Sequence, residues 1–389
     1  MQESLSIGRD DVENRTVIGL MSGTSLDGID AAVLRTDGDT VVETGPSASF
    51  PYSRAVKTFV RRAIKAALEG RNAAQDIADA TRAVTEAHVD AVRKLMADNG
   101  LEAAEVDLVG FHGQTIYHRS PRAGDGPGQT WQIGDAASLA RGTGITVVAD
   151  FRSADIAAGG EGAPFAPIYH AALARDLASR EGIAGPIAAL NLGGVANVTF
   201  VPIDGGLDGL VAFDCGPGNG LLDEWMDAKT GAAMDRDGKA ARAGTVHEDI
   251  VRLMLKAPYI RRPAPKSLDR YDFKIGPVAG LSMMDGAATL SAFTAACVAA
   301  SVDHLPQPPE VWVACGGGRR NPALMDELSA RLPGRVMRAE DAGWRGDDIE
   351  AECFAYLAVR SVRKLPLSFP KTTGVPHAMC GGRTFLANA

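Results

Sequence analysis

The sequence predicts an α/β protein of two lobes, and three observations support this prediction. Two apolar hairpin patterns, at residues 17–35 and 187–202, each enclose a glycine-rich turn. Each pattern is followed by short apolar runs that alternate with segments of helical periodicity. At 389 residues the chain is also longer than a single hydrophobic core usually supports. We therefore expect two α/β lobes that face each other across a cleft, with the glycine turns directed inward.

The spacing of apolar residues places the elements within each lobe. In the first half it predicts three strands, two helices and a buried strand, at residues 17–20, 29–35, 41–50, 53–70, 73–100 and 106–115. In the second half it predicts strand, glycine turn and helix twice, and two further helices, at residues 210–226, 310–332, 283–305 and 350–363. The predicted divisions are a flexible tail at 1–15, a first lobe at 16–146 plus 376–389, and a second lobe at 147–375.

Composition argues against several classes of protein. The net charge is −8, whereas a protein that binds a nucleic-acid backbone usually carries a basic face. No run approaches the roughly 18 apolar residues of a membrane span. The five cysteines are odd in number and form no CxxC pair, which favours reduced thiols in the cytoplasm. We therefore expect neither a nucleic acid nor a membrane as partner.

The first glycine turn, in SGTSLDGID, is suited to holding an anion. Gly23 lets the backbone approach a bulky group, and Ser22, Thr24 and Ser25 add N–H groups and hydroxyls. A tight hairpin that needs Gly and Asp for its geometry alone explains the same residues equally well. The turn is not a Walker A loop, because the one Gly-Lys pair of the chain precedes alanine.

Two later glycine turns favour a nucleotide site. LNLGGVANV forms a second hairpin turn, and ACGGGRRN places three glycines between a strand and a helix, where N–H groups at the helix start suit a phosphate. No GxGxxG motif follows a strand, which argues against a dinucleotide. Three such turns in this order are hard to explain as turns alone.

Asp214 in AFDCGPGN is the candidate carboxylate for proton transfer. It ends an apolar strand and precedes a glycine turn, where it would project beside exposed backbone N–H groups. A base for phosphoryl transfer must be a carboxylate or a histidine within reach of its proton. From the residues alone, an aspartate that caps its own turn is an equally good interpretation.

The motifs as a set resemble those of the anhydro-N-acetylmuramic acid kinase family. The resemblance extends from residue 17 to residue 388 and rests on SGTSLDGID, GFHGQT, WQIGD, VVADFRSADIAAGGEGAP, LNLGGVANVT, FDCGPGN and CGGGRRN. It implies the two-domain, ribonuclease H-like ATPase fold of actin and hexokinase, with ATP and Mg²⁺ as cofactors. It also implies the reaction, in which water opens the ring of 1,6-anhydro-N-acetylmuramic acid and O6 receives the γ-phosphoryl group of ATP. The products would be N-acetylmuramic acid 6-phosphate, for peptidoglycan recycling, and ADP.

The resemblance also implies roles for individual residues. Asp214 becomes the catalytic base that activates the water. ATP binding is expected at Ser22, Gly23, Thr24, Ser25, Leu26, Asp27, Gly28, Ile29, Asp30, Gly193, Gly194, Asn197, Gly316, Gly317 and Gly318. Sugar binding is expected at His112, Gln114, Asp150, Arg152 and Glu350, with Asp27 holding Mg²⁺ through water. Members of the family are often dimers, so a homodimer is expected too.

Alternative interpretations stay open for these polar residues. Asp27 could simply cap the hairpin, and His112 could hold its own loop. Arg152 suits the lactyl carboxylate of the sugar as a bidentate partner, but a structural pair with Asp155 explains it as well. Glu350 could be a solvated helix start that the helix dipole favours.

Two alternatives to the leading function also stay open. One is a kinase for another sugar on the same fold, since a fold alone does not decide the substrate. The other is a non-catalytic nucleotide-binding regulator, which the intact Asp214 and its flanking glycines disfavour. The histidines show no metal-ligand spacing, so no zinc site is expected. Lys266 and Ser267 match the family, although the residues after them depart from its usual Thr-Gly-Arg-Glu.

Overall fold

The computed structural model describes residues 13–70, 74–121, 128–268 and 272–388. These residues form two compact units. Unit 1 comprises the described residues up to Ala172, then Asp348–Ser368 and the described residues from Val375 onward. Unit 2 comprises the described residues of Leu173–Asp347 together with Phe369–Gly374. The predicted tail at 1–15 lies mostly outside the described residues, and its last residue already belongs to the first strand.

Every strand and helix that the apolar spacing predicts is present, with ends that differ by a few residues. The strands are β1 (Arg15–Ser22), β2 (Gly28–Thr36), β3 (Val42–Pro51), β4 (Leu108–Arg119), β5 (Gln129–Ile133), β6 (Val147–Ala149), β7 (Ile187–Leu192), β8 (Val195–Val201), β9 (Val211–Pro217), β10 (Val311–Cys315), β11 (Arg335–Arg338) and β12 (Arg383–Phe385). The α-helices are α1 (Arg54–Leu68), α2 (Ala74–Asn99), α3 (Ala136–Thr143), α4 (Ser153–Ala157), α5 (Ala166–Glu181), α6 (Gly220–Thr230), α7 (Lys239–Ala243), α8 (Glu248–Met254), α9 (Met283–Ser301), α10 (Pro322–Arg331) and α11 (Ile349–Val362).

The two units contain sheets with the same strand order. In unit 1 the order is β12-β6-β4-β1-β2-β3, and β5 pairs with β4. In unit 2 the order is β11-β10-β7-β8-β9. In each unit the first three strands form an antiparallel meander, and the fourth strand runs parallel to the first. Counted within its own unit, each sheet therefore contains the order 3-2-1-4, which confirms the predicted duplication and the ribonuclease H-like α/β class.

Helix α11 packs directly on the backbone of the unit 1 sheet. A Cβ atom added at Gly19 on β1 would lie 1.8 Å from the carbonyl oxygen of Ala351. One added at Gly110 on β4 would lie 2.1 Å from the carbonyl oxygen of Phe354. The two glycines therefore allow this close approach, since any side chain would push the helix away. The contact fixes the start of α11, where Glu350 lies.

The predicted lobe boundaries differ from the two units. The structure places residues 147–172 and 348–368 in unit 1, whereas the sequence predicts them in the second lobe. Strand β6 pairs in parallel with β4, and α11 packs on β1, so both belong with the first sheet. These pairings join residues far apart in the chain, and local apolar periodicity carries no sign of them.

Helix α9 forms the core of unit 2. It packs against α6, α7 and α10, and 14 of its 19 residues are buried. By length and composition alone, residues 283–304 could cross a membrane, contrary to our expectation that no run of this chain would. Most of this segment is buried inside the unit, as the core helix of a globular domain is.

Candidate functional site

The glycine turn between β1 and β2 is anchored by a buried leucine. Leu26 is 5% exposed and packs among apolar side chains of α1, α2, β4 and β5. Its φ of 61° lies in the left-handed region, which a leucine rarely adopts, and the packing of its side chain holds it there. Its N–H donates to the carbonyl of Gly23 at 3.2 Å, so the turn closes below the exposed Thr24 and Ser25. The turn is therefore held from beneath and open above.

Residues 113 and 114, in the middle of β4, support the same turn from the side. Ser22 donates its hydroxyl to the carbonyl of Gly113 at 3.1 Å, and the Gln114 amide donates to the carbonyl of Gly23, also at 3.1 Å. Gln114 is 0% exposed. Its amide nitrogen therefore supports the turn, and its place among the sugar ligands stays a prediction. Ile29, predicted to bind ATP, is likewise buried in the apolar core of unit 1.

A cavity of about 310 Å³ opens beside the turn within unit 1. This volume is typical of small-molecule sites. It is lined by Met21, Ser22, Gly23, Thr24, Ser25, His112, Thr115, Arg152 and Glu350. Three of the five predicted sugar ligands, those at positions 112, 152 and 350, thus lie around one space, together with four residues of the predicted phosphate turn.

Arg152 and His112 form a pair that fixes the histidine tautomer. The guanidinium donates to His112 Nε2 from two nitrogens, at 3.1 and 2.9 Å. Because Arg152 can only donate, Nε2 must accept, and the proton of the neutral ring is on Nδ1. Burial, and then the charge of Arg152, hold the pKa of His112 well below its ordinary value. His112 is therefore a neutral residue that orients the arginine.

Within the protein, Arg152 also binds backbone. Its third nitrogen donates to the carbonyl of Gly162 at 2.6 Å. Asp155, the predicted structural partner, is buried and accepts from the Gly162 N–H at 2.7 Å and from the Ser368 hydroxyl at 2.5 Å. The charge of Asp155 still acts on the guanidinium, but a histidine 40 residues earlier orients it.

A carboxylate and a cation share the cavity. Glu350 is solvent-exposed, yet partial loss of surrounding water raises its pKa, a rise that Arg152 opposes and Asp30 reinforces. Burial lowers the pKa of Arg152, and Glu350 opposes the change. The cavity therefore offers one group that binds anions and one that accepts hydrogen bonds from hydroxyls.

Asp150 lies in a different cavity of unit 1. That cavity has a volume of about 530 Å³ and is also lined by Trp131, Gln132 and Arg383. The Asp150 carboxylate is 3.9 Å from the Arg383 guanidinium, and its φ of 58° is unusual for an aspartate. His112 borders both cavities. The structure thus separates Asp150 from Arg152 and Glu350 but not from His112.

In unit 2, the second glycine turn packs on the turn that follows β9. The N–H groups of Gly218 and Gly220 donate to the carbonyl of Gly194 at 3.1 and 3.2 Å. The N–H of Asn219 donates to the carbonyl of Gly193 at 2.7 Å. These bonds join the LGG turn to the CGPGN turn, which directly follows the candidate base Asp214.

The third glycine turn packs on the second. Gly316 has a φ of 70°, and a Cβ there would lie 2.3 Å from the side-chain oxygen of Asn191. A Cβ on Gly318 would lie 2.6 Å from that of Leu192. The side chain of Asn219 donates to the carbonyl of Leu192 at 3.0 Å and so ties the same strand end. The LGG, CGPGN and CGGG turns of unit 2 therefore meet at one end of β7.

Three glycines of these turns have no structural reason to be glycine. Gly23, Gly194 and Gly317 do not have positive φ angles. A Cβ on Gly194 would meet nothing within 4 Å, and those on Gly23 and Gly317 would meet nothing closer than 3.6 and 3.7 Å. The fold tolerates a side chain at these positions, so the absence of one leaves free space above each turn, as close approach of a ligand requires.

Asp214 lies on β9 with its carboxylate partly buried. One carboxylate oxygen accepts from the N–H of Leu268 at 2.8 Å. Burial raises the pKa of Asp214 to about 6, against the opposing effects of this hydrogen bond and of the Lys266 charge. A carboxylate with a pKa close to neutral is suited to taking up a proton and releasing it again.

Residues that the sequence analysis did not single out hold these turns in place. Arg319 is 2% exposed, donates to the carbonyl of Gly316 at 2.8 Å and pairs with Glu340 at 2.7 Å. Asn219 binds backbone on both sides, as described above. The arginine that follows the three glycines and the asparagine of CGPGN are visible in the sequence, but an Arg or an Asn in a turn is common and does not by itself indicate such a role.

The described residues contain no group of three or more His, Cys, Asp or Glu that could enclose a metal ion. Asp27 is exposed at the first turn, close in sequence to the exposed hydroxyls of Thr24 and Ser25. Mg²⁺ commonly keeps several waters and takes only one or two carboxylates from the protein. An exposed carboxylate beside hydroxyls therefore fits this ion.

Phosphoryl transfer needs open backbone for the phosphates and a carboxylate for the proton, and this chain carries both on a duplicated ribonuclease H-like fold. The class is that of the ATP-dependent phosphotransferases. Within that class, the sequence profile described as "Anhydro-N-acetylmuramic acid kinase" matches residues 15–387, and the chain belongs to this family.

Individual relatives agree with the family match. The anhydro-N-acetylmuramic acid kinase of Rhodospirillum rubrum is 50% identical over 365 residues, which cover 94% of this chain and 92% of the relative. That of Phenylobacterium zucineum is 49% identical over 370 residues, covering 94% and 98%. A solved activator of 2-hydroxyisocaproyl-CoA dehydratase from Clostridium difficile, with bound ADPNP, aligns with a TM-score of 0.42 at 12% identity over 90% of this chain and 97% of that one. This likeness is weak, so the fold is defined here by the strand order alone.

Proposed function

We propose that the protein is an ATP-dependent kinase that opens the ring of 1,6-anhydro-N-acetylmuramic acid with water and phosphorylates O6. The observation that carries this proposal is Asp214, a carboxylate in the middle of β9 with a pKa near neutral, beside glycine turns that the fold leaves open. Family membership supports the choice of sugar.

Unit 1 is assigned the sugar. Its cavity of about 310 Å³ contains Arg152, which the His112 pair orients, and a planar guanidinium is the natural partner of the lactyl carboxylate. Glu350 faces the same space and is assigned to the sugar hydroxyls. The exposed part of the first turn, Thr24 and Ser25, is assigned to the phosphates of ATP through its N–H groups and hydroxyls.

Unit 2 is assigned the proton transfer and the rest of the nucleotide. Asp214 accepts a proton from water while the water oxygen bonds to the anomeric carbon and the bond from that carbon to O6 breaks. O6 then bonds to the γ-phosphorus, and the bond to the β–γ bridging oxygen breaks, which releases ADP. The proton on Asp214 returns to solvent. Gly194 and Gly317 leave room for the nucleotide above their turns.

Mg²⁺ would supply positive charge to the phosphates as they transfer. Asp27 is assigned to it through water, with Asp30 next along the turn, where the side-chain oxygen accepts a hydrogen bond from Ser49 at 2.5 Å. Replacement of Asp27 by Asn should therefore raise the Mg²⁺ concentration needed for half-maximal activity. Unchanged Mg²⁺ dependence would remove Asp27 from this role.

A cytoplasmic, homodimeric enzyme is part of the proposal. All five cysteines are free thiols and four are buried, which suits a reducing compartment. Light scattering coupled to size-exclusion chromatography would measure the mass in solution, to be compared with 40.6 kDa for one chain.

The experiment is to incubate the protein with Mg-ATP and 1,6-anhydro-N-acetylmuramic acid in water enriched in ¹⁸O. ADP should form in proportion to sugar, and mass spectrometry should find one ¹⁸O in the sugar phosphate, because the ring is opened by water. N-acetylmuramic acid and N-acetylglucosamine serve as control sugars and should give no ADP. Asp214→Asn should lose at least a hundredfold in kcat yet still bind ATP, since removal of a general base costs about 10²–10⁴-fold.

Each outcome has one meaning. ADP with a different sugar, and none with the anhydro sugar, would make the protein a kinase of that sugar. ATP binding without turnover of any sugar would make it a nucleotide-binding regulator. A product without ¹⁸O would contradict attack by water.

A further inference from the structure

Lys266 is a buried lysine of unit 2 that the proposed reaction leaves without a role. It is 5% exposed, and burial of an ammonium group is costly unless the charge is compensated. Its Nζ donates to the carbonyls of Ile260 and Tyr259, at 3.0 and 3.3 Å. It also lies 4.9 and 5.6 Å from the ring centroids of Tyr259 and Phe213. Carbonyl dipoles and aromatic rings thus hold the cation.

These contacts join the two backbone segments that hold Asp214. The first segment is the 3-10 turn Pro258–Arg261, where the Tyr259 hydroxyl donates to the carbonyl of Asp214 at 2.8 Å. The second segment starts at Lys266 itself, whose carbonyl accepts from the N–H of Asp214 at 3.1 Å. Two residues on, the N–H of Leu268 donates to the Asp214 carboxylate at 2.8 Å. The side chain of Lys266 therefore ties the segment that binds the Asp214 carbonyl to the segment that orients its carboxylate.

Asp214 is the anionic neighbour of Lys266, and the Arg262 guanidinium acts on the ammonium in the opposite sense and more strongly. The titratable groups that face the ammonium, or the carbonyls it binds, come from β9, α9 and two 3-10 turns, and they are Asp214, Cys215, Tyr259, Arg262, Cys297 and His304. Burial raises the pKa of Cys215 to about 12 and that of Cys297 well above its ordinary value, so both thiols are neutral. Burial likewise raises the pKa of Tyr259. Lys266 in turn favours the ionised form of Asp214, against burial.

We propose that Lys266 is a positioning residue for Asp214: its ammonium ties together the segments that orient the carboxylate, and its charge keeps that carboxylate ionised near neutral pH. The proposal rests on the proposed function, in which Asp214 takes a proton from water. Lys266 is buried, so it acts through Asp214 and the backbone rather than on the sugar.

The test compares Lys266→Met and Lys266→Gln, which remove the charge, with Lys266→Arg, which keeps it. For each variant, kcat/KM with the anhydro sugar is measured from pH 5 to pH 9. Loss of a neighbouring positive charge raises the pKa of a carboxylate, so the acidic limb should move up by about one pH unit in the neutral variants. In Lys266→Arg the limb should stay near its wild-type position. ATP affinity should stay within about twofold in all three, which corresponds to less than about 0.5 kcal/mol. The reason is that Lys266 acts through Asp214 in this proposal.

His304 provides the matched control. Its Nε2 contacts the carbonyl of Ile260 at 3.1 Å, the same oxygen that accepts from Lys266. His304→Gln should leave the limb in place.

The outcomes separate the two proposals. Wild-type protein that forms no ADP with the anhydro sugar would overturn the proposed function itself. An active wild type with an unmoved limb in Lys266→Met and Lys266→Gln would overturn only the role of Lys266. Failure of both neutral variants to fold would do the same, because a positioning role requires the fold to survive without the charge.

Discussion

The guanidinium of Arg152 is held on Nε2 of His112 by two hydrogen bonds, of 3.1 and 2.9 Å, at the wall of the unit 1 cavity. The pair leaves a cation oriented and partly accessible beside Glu350. Because a neutral histidine is the acceptor, the net positive charge of the arginine is preserved for a ligand.

Replacement of Arg152 should therefore discriminate between two sugars. Arg152→Met should raise the KM for 1,6-anhydro-N-acetylmuramic acid about 10- to 100-fold, since a charged hydrogen bond is worth about 1.5–3 kcal/mol. It should leave the inhibition constant of 1,6-anhydro-N-acetylglucosamine, which lacks the lactyl group, nearly unchanged. Steady-state kinetics with both sugars measures the difference.

The control for that variant is Arg141→Met, an exposed arginine on α3 that donates to the Ser138 hydroxyl at 2.9 Å. It should change neither constant. Equal weakening of both sugars by Arg152→Met would show that the arginine shapes the cavity and does not bind the carboxylate.

The pH profile of the wild-type enzyme should report Asp214. Its pKa is raised from 3.8 to about 6, so the carboxylate is protonated below that pH and cannot accept a proton from water. We expect kcat/KM to be level above about pH 7 and to fall tenfold per pH unit below about pH 6. A profile that stays level down to pH 5 would mean that the base has an ordinary aspartate pKa, or that it is another group.

Gly194 should matter for ATP and not for folding. Gly194→Ala adds a methyl group to open space above the second turn, so the melting temperature should stay nearly constant. The KM for ATP should rise about tenfold, the size expected when one charged hydrogen bond from a backbone N–H to a phosphate is lost. Coupled detection of ADP measures this constant.

Gly206→Ala is the matched control, since a Cβ there also meets nothing within 4 Å and the φ of −71° is ordinary. It should leave the KM for ATP unchanged. If both variants bind ATP as the wild type does, the second turn is not a phosphate site.

Leu26 should contribute stability to unit 1 and order to the first turn. Leu26→Ala removes a buried side chain and should lower the free energy of unfolding by about 2–5 kcal/mol. It should also raise the KM for ATP, because the turn loses its anchor. Leu68→Ala, at a leucine on α1 that is 67% exposed, should change stability by less than about 0.5 kcal/mol. Urea denaturation measures both, and equal losses would mean that Leu26 is no anchor.

The elements of the fold could be predicted because their signals are local. An apolar run, a glycine turn and a second apolar run define β1 and β2, and the same pattern defines β7 and β8. The assignment of β6 and α11 to unit 1 could not be predicted, since it depends on pairing with β4 and on the close approach at Gly19. A glycine within a strand indicates such an approach only once the helix that uses it is known.

The site residues divide in the same way. Glycine turns and an aspartate just before one carry their chemistry in short motifs, so Gly194 and Asp214 could be singled out, although Asp214 lies in the middle of β9 and not at its end. The support that the Gln114 amide gives to the carbonyl of Gly23 could not be predicted, because it joins two residues 91 positions apart. The His112 partner of Arg152 could not be predicted, because an arginine suggests a carboxylate partner such as Asp155. The structure uses a neutral imidazole instead.

The fourth strand of each sheet leads to a different chemistry. In unit 1 the part of β4 where its pairing with β1 ends carries His112 and lines the proposed sugar cavity, while in unit 2 the exit of β10 carries the glycines at 316–318. Two equal halves specialise when equivalent positions on their fourth strands change independently. A change of sugar would then require substitutions near His112 on β4 and none at the glycines that follow β10. Substrate range could therefore be engineered in one unit alone.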